Sequence, residues 1–538
     1  MDEVLLSVRD LTIALPAKMD RAHAVEGVSL DLMRGEILCI IGESGSGKSV
    51  TASAVMGLLP PTLQVTRGQA LFGGRDLLAL PESERRALRG RSVSMIFQDP
   101  LSALNPLMTV GAQVDEVLWA HGWGDRAKRA AKVQALLAEV GLPDPPLIAR
   151  QYPFRLSGGQ RQRVMIAIAL ALDPDLLIAD EPTTALDVTT QAQILELIRT
   201  IQRRKGMSVM FITHDFGVVA DIADRVVVME KGLVVETGAA AAVLTDPQAP
   251  YTKRLIAAVP RLRAAGDSGT GTGGALILKV EGLHKTYESR SGFLGRKRVV
   301  RAVQDVGFEL RRSRTLGVVG ESGSGKSTMG RVLMKLIEAD GGRILLDGQD
   351  ILPMDERAFR PLRPRIQMVF QDPFASLNPR QSVGTSLIVG PVAQGMPRAQ
   401  ARAKAAEILR QVGLDPTAYE RFPHEFSGGQ RQRIGIARAL MFEPEVLIAD
   451  EAVSALDVSI QAQILDLLKR VQREHDLAMI FITHDLRVAS QVCDEILVMH
   501  QGRVVESGPP ARLFHAPVED YTRRLVAAIP GRGARDAA

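Results

Sequence analysis

Two stretches of eight residues carry the residue types and the spacing that bind phosphate groups. Residues 42–49 and 320–327 both read GESGSGKS and fit the pattern G-x-x-x-x-G-K-[ST]. In such a loop, backbone N–H groups surround the phosphates, the lysine reaches the outer phosphates and the last hydroxyl reaches Mg²⁺. The predicted nucleotide contacts are Gly42, Ser44, Gly45, Ser46, Gly47, Lys48 and Ser49, and in the second copy Gly320, Ser322, Gly323, Ser324, Gly325, Lys326, Ser327 and Thr328.

Each half also has two carboxylates directly after an apolar run. Asp180 and Asp450 end runs that suit buried strands, so each would lie at the sheet edge where a ligand for Mg²⁺ is needed. Glu181 and Glu451 come next, where a carboxylate can orient or deprotonate the attacking water. An isolated Asp-Glu pair is more often a solvated turn, but its recurrence after both phosphate loops favours a catalytic role.

A histidine and a glutamine complete each set. His214 and His484 end further apolar runs and are predicted to hydrogen-bond the γ-phosphate or the attacking water, although an isolated histidine there is more often structural. Gln98 and Gln371 offer a neutral amide that could complete the Mg²⁺ and water shell, and each alone would be read as a surface residue.

A second predicted anion site opens two long helices, at 160–172 and 430–442. A hydroxyl and free N–H groups at a helix start attract anions. Because each phosphate loop already has its own nucleotide, these donors must serve another one. The residues are Ser157, Gly158, Gly159 and Gln160, and Ser427, Gly428, Gly429 and Gln430.

These motifs recur because the chain is duplicated, with an offset of about 270 residues that is the size of a whole domain. A chain of 538 residues also exceeds what one core usually supports. Apolar strand-like runs alternate with helical segments around each phosphate loop, which predicts an α/β fold with a parallel-sheet core. Segments 105–152 and 378–422 are read as helical insertions. The predicted domains are 1–260 and 276–530, joined by a glycine-rich linker at 261–275 and followed by a tail at 531–538.

Composition sets broad limits on function. The chain is 46% hydrophobic and 24% charged, and a net charge of +5 is weak evidence for a nucleic-acid or membrane partner. Cys39 and Cys493 alone indicate neither a disulfide framework nor a metal cluster, which suits a reducing cytoplasm. The acidic start predicts no signal peptide, and the longest apolar runs, such as 164–172, are too short to span a membrane. Work at a membrane would therefore need a partner.

In their order and repetition, these motifs resemble a tandem ATP-binding cassette ATPase, and the residues 184–187 and 454–457 extend the resemblance. The resemblance implies ATP and Mg²⁺ as cofactors. It also implies a head-to-tail arrangement in which ATP on the loop of one cassette is capped by Ser157 or Ser427 of the other, with both composite sites complete. An aromatic residue stacks on adenine in that family, and Tyr287 fits this position, whereas the first half has Leu15. Ala452 replaces the first half's Pro182, which should not abolish hydrolysis.

The segment at the end of each half indicates which group of ATP-binding cassette ATPases the chain resembles. Residues 249–260 and 520–530 resemble the C-terminal extension of the ATPases of oligopeptide and dipeptide importers, a group that includes nickel and glutathione uptake systems. Read without the family, each is a short amphipathic helix. Two fused cassettes are similar to the single-chain ATPases of bacterial peptide and glutathione importers. With two cysteines, this chain cannot hold the iron–sulfur cluster that many members carry.

The resemblance implies an energy-coupling ATPase at the cytoplasmic face of the cell membrane. Segments 101–110 and 374–383 would form clefts for short helices of two permease subunits, with an extracytoplasmic solute-binding protein as an indirect partner. The chain would contact neither the solute nor nucleic acid. The basic stretch 290–301 would be a solvated loop or face anionic headgroups.

The alternative is a soluble twin-cassette ATPase acting on ribosomes or nucleic acid. Such proteins usually carry a long charged helical linker, whereas the linker here is short and glycine-rich. The sequence does not name the transported solute, because selectivity belongs to the permeases and the solute-binding protein.

Overall fold

The computed structural model describes residues 3–531 apart from 18, 20, 185, 261, 263–273, 291–296, 373–375 and 455. The chain forms two compact units, the first containing Met1–Leu186 and Thr190–Val259 and the second containing Pro260–Ile529. The predicted linker lies outside the described residues except for Leu262, Gly274 and Ala275. The tail beyond Gly531 also lies outside them. The same holds for residues 373–375 of the second predicted permease cleft and for residues 291–296 of the basic stretch.

Twenty described strands build the sheets of the two units. In the first unit they are β1 Val4–Ala14, β2 His23–Met33, β3 Ile37–Ile41, β4 Gln64–Phe72, β5 Arg75–Asp76, β6 Val93–Ile96, β7 Leu176–Asp180, β8 Ser208–Thr213, β9 Arg225–Glu230 and β10 Leu233–Ala239. In the second unit they are β11 Leu276–Arg290, β12 Lys297–Arg311, β13 Thr315–Val319, β14 Gly341–Leu346, β15 Gln349–Asp350, β16 Ile366–Val369, β17 Val446–Asp450, β18 Ala478–Ile482, β19 Glu495–His500 and β20 Arg503–Gly508.

The described helices divide in the same way. The first unit has α1 Lys48–Met56, α2 Glu82–Leu88, α3 Pro100–Ala103, α4 Val110–Ala120, α5 Arg126–Glu139, α6 Pro145–Ala149, α7 Gly158–Ala169, α8 Val188–Lys205, α9 Phe216–Ile222, α10 Ala240–Thr245 and α11 Pro250–Ala258. The second has α12 Lys326–Leu333, α13 Glu356–Phe359, α14 Val383–Ala393, α15 Arg398–Gln411, α16 Gly428–Leu440, α17 Val458–Glu474, α18 Leu486–Val492, α19 Pro510–His515 and α20 Asp520–Ala527. Single 3₁₀ turns lie at Pro153–Arg155, Arg363–Arg365, Pro416–Glu420 and Pro423–Glu425.

Each unit has two sheets. In the first unit the six-stranded sheet has the order β10-β9-β3-β8-β7-β6, and its strands are parallel except at the β9–β10 edge. The second unit repeats this with β16-β17-β18-β13-β19-β20. The α/β fold with a parallel-sheet core is thereby confirmed. Each unit also has a four-stranded antiparallel sheet, β2-β1-β4-β5 or β12-β11-β14-β15, which the sequence prediction did not include.

The large sheet is buried on both faces, which explains why its strands read as continuous apolar runs. In β17, Val446 and Ile448 pack in the core shared with the antiparallel sheet, whereas Leu447 and Ala449 pack against the helices of the insertion. This alternation follows from the two-residue period of a strand. Asp450, the last residue of β17, is therefore positioned by a strand that is packed on both faces.

Local backbone and capping set the ends of two helices. The helix after the first phosphate loop spans Lys48–Met56, and Gly47 at its start and Gly57 at its end both adopt left-handed backbone. The helix predicted at 160–172 spans Gly158–Ala169, because Ser157 caps it two residues earlier. The insertions at 105–152 and 378–422 are helical as predicted.

No described helix is both long enough and apolar enough to cross a membrane.

Candidate active site

The first phosphate loop joins β3 to α1. Its geometry depends on glycine at two positions, since Gly42 has φ 154° and Gly47 has φ 100°. A Cβ on Gly42 would lie 2.2 Å from the Met229 carbonyl oxygen, and one on Gly47 would lie 2.8 Å from that of Ala24. No other residue fits without moving the backbone. The second loop has the same features at Gly320 and Gly325.

The loop lysine folds back on its own loop. Lys48 is buried, and its ammonium donates to the carbonyls of Gly42 at 2.7 Å and Glu43 at 2.8 Å. Lys326 donates in the same way to Gly320 and Glu321, both at 2.7 Å. Burial lowers the pKa of Lys326, although neighbouring carboxylates act in the opposite direction.

A hydroxyl and a carboxylate meet beside each loop. Ser49 Oγ donates to Asp180 Oδ1 at 2.9 Å, and Ser327 Oγ donates to Asp450 Oδ1 at the same distance. The contact forms because β3, β8 and β7 are consecutive parallel strands of the sheet, so their carboxyl ends lie at the same edge. Burial raises the pKa of both aspartates.

Three side chains surround the first candidate catalytic carboxylate. Gln98 Nε2 donates to Glu181 at 3.0 Å, Thr184 Oγ1 donates to it at 2.9 Å, and His214 Nδ1 lies 3.3 Å from it. Burial by itself would raise the pKa of Glu181, but the histidine and the hydroxyl outweigh burial and lower it to about 2. The carboxylate is therefore ionised at neutral pH.

The second catalytic group repeats the glutamine and histidine contacts, but Ser454 Oγ donates to the backbone carbonyl of Glu451 at 3.0 Å. Gln371 Nε2 donates to Glu451 at 2.8 Å, and His484 Nδ1 lies 3.5 Å from it. Burial opposes ionisation here too, yet contact with His484 lowers the pKa of Glu451. Against the effect of its own burial, the pKa of His484 is raised by Glu451. In each unit, the predicted glutamine and the predicted histidine therefore contact the predicted glutamate of the same unit.

The backbone at these glutamates is a feature that sequence reasoning missed. Glu181 has φ 46° and Glu451 has φ 48°, in the left-handed region that residues with a Cβ rarely adopt. Such conformations cluster at functional sites, where they fix the direction of a side chain. Here they turn each carboxylate toward its glutamine and histidine. No sequence signal marks them, because glutamate is not a typical left-handed residue.

The predicted second anion site is a well-formed helix start. Ser157 Oγ accepts the N–H of Gln160 at 3.2 Å, and Gln160 Oε1 accepts the N–H of Ser157 at 3.0 Å. This reciprocal capping gives Gln160 a role within its own helix. A Cβ on Gly159 would lie 2.6 Å from Thr190, so this glycine permits close packing. Ser427 and its three following residues repeat the arrangement.

The predicted adenine positions differ between the units. Tyr287 lies on β11 with 39% of its surface exposed, and Lys285 Nζ lies 5.8 Å from its ring centre. Leu15 follows β1 and packs partly against the core. Nearby, the Arg21 guanidinium donates to the Gly45 carbonyl, a contact that sequence reasoning did not predict.

Comparison with known proteins identifies this arrangement. Residues 25–184 and 303–454 match the family model described as ABC transporter. The chain belongs to the ABC transporter family. It is therefore an ABC-type ATPase that binds ATP, as the resemblance implied. The two matches cover both copies of the motifs from the phosphate loop to the Asp-Glu pair, and His214 and His484 lie beyond them. Residues 235–285 match a second model, the oligopeptide/dipeptide transporter C-terminal region, which includes the tail predicted at 249–260.

Curated relatives match almost the whole chain. The peptidoglycan transport ATP-binding protein YejF of Agrobacterium fabrum is 48% identical over 97% of this chain and 96% of its own length. The glutathione import ATP-binding proteins GsiA of Salmonella typhimurium and of Escherichia coli O157:H7 are each 46% identical over 98% of this chain and 89% of their length. These transport proteins do not support the alternative of a ribosome-acting or nucleic-acid-acting ATPase.

Proposed function

We propose that this ABC ATPase hydrolyses ATP at both phosphate loops to drive the import of short peptides through partner permeases. The observation that carries the proposal is that each loop is accompanied by its own carboxylate, glutamine and histidine, in a chain whose first tail matches the peptide-transporter region.

The contacts of Glu181 support a specific role in hydrolysis. Contact with His214 and Thr184 lowers the pKa of Glu181 against the effect of its burial, so the ionised carboxylate can accept a hydrogen bond from the attacking water and orient it. Gln98 and His214 hold the carboxylate in this direction. We propose the same roles for Glu451, Gln371 and His484, and a phosphate-binding role for Lys48 and Lys326.

The residues beside each loop fit Mg²⁺. This ion prefers oxygen ligands and is usually held by one or two protein groups together with substrate phosphates. Ser49 with Asp180, and Ser327 with Asp450, supply one hydroxyl and one carboxylate at each loop. Bound there, the ion would neutralise charge on the phosphates. The described residues contain no cluster of three or more histidine, cysteine, aspartate or glutamate side chains suited to a different metal.

The proposed solute class follows from the relatives and the tail. Glutathione is a short peptide, and the matched tail region is named for oligopeptide and dipeptide transporters. The proposal therefore covers short peptides and does not choose among them. An extracytoplasmic solute-binding protein would be an indirect partner.

Exposed apolar side chains support permease docking on the first unit. Around the helical insertion, Leu101, Leu107, Trp119 and Phe154 are 60%, 85%, 67% and 63% exposed. Large exposed apolar side chains often take part in protein–protein contacts when they adjoin. We propose that it receives a short helix of one permease at the cytoplasmic face of the membrane.

The second unit offers a different surface for the other permease. A cleft of about 530 Å³ is lined by Phe370, Gln371 and Arg438, and Gln371 also reaches the catalytic glutamate. A helix bound there could therefore affect hydrolysis directly, which supports coupling between permease and ATPase.

Affinity purification tests the proposal. The Glu181→Gln, Glu451→Gln double variant, loaded with ATP and extracted from native membranes in mild detergent, should retain two multi-spanning permeases identifiable by mass spectrometry. Adding Leu107→Asp and Trp119→Asp should reduce recovery of one permease, whereas the matched control Leu233→Asp, also on the exposed surface of the first unit, should not. Recovery of ribosomal proteins without permeases would contradict the transport proposal.

A further inference from the structure

The tail of the first unit is fixed to the sheet before its helix begins. Glu236 on β10 accepts the N–H of Gln248 at 2.7 Å and that of Ala249 at 3.1 Å, just ahead of α11. Tyr251 and Leu255 on this helix are buried. The helix is therefore held at its start by a carboxylate and along its side by packing.

This docking brings a phenol to the phosphate loop. Tyr251 Oη accepts the N–H of Glu43, the second residue of the loop, at 3.2 Å. Lys48 donates to the carbonyl of the same residue at 2.8 Å. The N–H of Glu43 is held by the tail and its carbonyl by the loop lysine, so two different parts of the unit fix the entry to the loop.

The second unit repeats the contact. Glu506 accepts the N–H groups of Val518 and Glu519, and Tyr521 Oη accepts the N–H of Glu321 at 3.1 Å. Burial raises the pKa of both tyrosines to about 12, so each hydroxyl keeps its proton at neutral pH.

The surroundings of the two rings differ. His500 stacks on Tyr521 with ring centres 4.0 Å apart, whereas the Arg254 guanidinium carbon lies 5.8 Å from the ring centre of Tyr251. Packing alone would not require the same hydroxyl contact in both surroundings. The two tails nevertheless share the hydrogen bond from the tyrosine hydroxyl to the loop backbone.

We propose that the tail helix of each unit is a positioning element of the nucleotide site, in which Tyr251 and Tyr521 hold the phosphate loop in the shape that accepts ATP. This inference rests on the proposed binding of ATP at both loops. Both tyrosines are positioning residues, because they touch the loop backbone. Pre-ordering a loop improves affinity by reducing the entropy that binding must remove.

The test is Tyr251→Phe combined with Tyr521→Phe in the full chain, which removes both hydroxyls and keeps both rings. We expect the Kd for ATP, measured by displacement of a fluorescent ATP analogue, and the KM for ATP to rise about three- to tenfold. The value of kcat should stay within about twofold, because the groups around Glu181 and Glu451 are unchanged.

Two further variants sharpen the test. Glu236→Gln combined with Glu506→Gln weakens the attachment of the tails without touching either loop, and it should raise the KM for ATP in the same direction. Tyr419→Phe, in the helical insertion of the second unit, should leave Kd and KM unchanged.

An unchanged Kd and KM in the double tyrosine variant, with only a lower melting temperature, would overturn the inference and leave the tyrosines as packing residues. In that case the wild-type chain would still bind ATP, so the proposed function would stand. A wild-type chain that fails to bind ATP would overturn both.

Discussion

In the first unit the loop lysine lies 2.7 Å from the first carbonyl of its loop, and in the second unit the corresponding distance is also 2.7 Å. The serine–aspartate contacts are 2.9 Å in both, and the histidine–glutamate contacts are 3.3 and 3.5 Å. The centre of the sheet differs. The third residue of β3 is Cys39, but the third residue of β13 is Gly317.

A second exchange compensates for the first. Ala223 caps the end of α9, whereas Cys493 caps the end of α18, and a Cβ on Gly317 would lie 2.7 Å from Cys493 Sγ. One thiol fills this part of each core, supplied by the strand in the first unit and by the helix end in the second. Burial raises the pKa of both thiols above the usual range.

Residues of the candidate sites and residues of the core are therefore constrained in different ways. Groups that would contact phosphate, metal or water keep their residue type and their distances, because the chemistry depends on both. Core positions keep only the volume that they fill, because dispersion and burial do not depend on which element supplies the atoms.

The largest expected effect concerns the catalytic carboxylates. Because both carboxylates contact a glutamine and a histidine, Glu181→Gln and Glu451→Gln should each lower the rate of ATP hydrolysis by a similar factor, and the double variant should lose about 100-fold or more while still binding ATP. Steady-state phosphate release and ATP binding measure this. Full hydrolysis in the double variant would contradict the mechanism, and unequal single variants would show that the two sites have diverged.

The next effect concerns the exchanged thiol. Cys493→Ala should destabilise the second unit by about 1–2 kcal/mol through a cavity, and Gly317→Ala by about 1–3 kcal/mol through overpacking. The double variant should lie within about 1 kcal/mol of wild type, since each change relieves the other. Hydrogen exchange of peptides that contain Thr315–Val319 measures the free energy of opening. Additive losses would mean that the two positions do not share a space.

The smallest expected effect concerns binding of the adenine base of ATP. Tyr287→Leu gives the second unit the residue type of the first, and we expect its affinity for ATP to fall about three- to tenfold through loss of stacking. The measurement is equilibrium binding with Lys48→Ala present, which leaves the second site to dominate. Leu15→Tyr with Lys326→Ala is the reciprocal test. No change in either variant would mean that Tyr287 only packs.

Much of the fold and of the candidate site could be predicted from sequence. The duplication repeats long motifs, and apolar runs four residues long identify the buried parallel strands at whose ends Asp180 and Asp450 lie. Residues that end neighbouring parallel strands meet at one sheet edge, so the proximity of serine and aspartate follows from topology.

Other features could not be predicted because they depend on tertiary contacts. The left-handed backbone of Glu181 and Glu451 is imposed by the surrounding fold and has no local sequence cause. The bond from Glu43 to Tyr251 joins residues 208 positions apart, and the repeated Tyr-Thr pair at 251–252 and 521–522 was its only sequence signal. The antiparallel sheets were missed because their strands, unlike those of the large sheet, mix buried and exposed positions.

The folded-back lysine has a consequence for nucleotide exchange. The ammonium of Lys48 is buried and donates to two carbonyls of its own loop, so the loop backbone compensates the cost of burying this charge. Arrival of a phosphate is a swap of hydrogen-bond partners between two satisfied states. A phosphate that binds this lysine must compete with the two carbonyls, so the contact contributes less free energy than it would with an unpartnered ammonium.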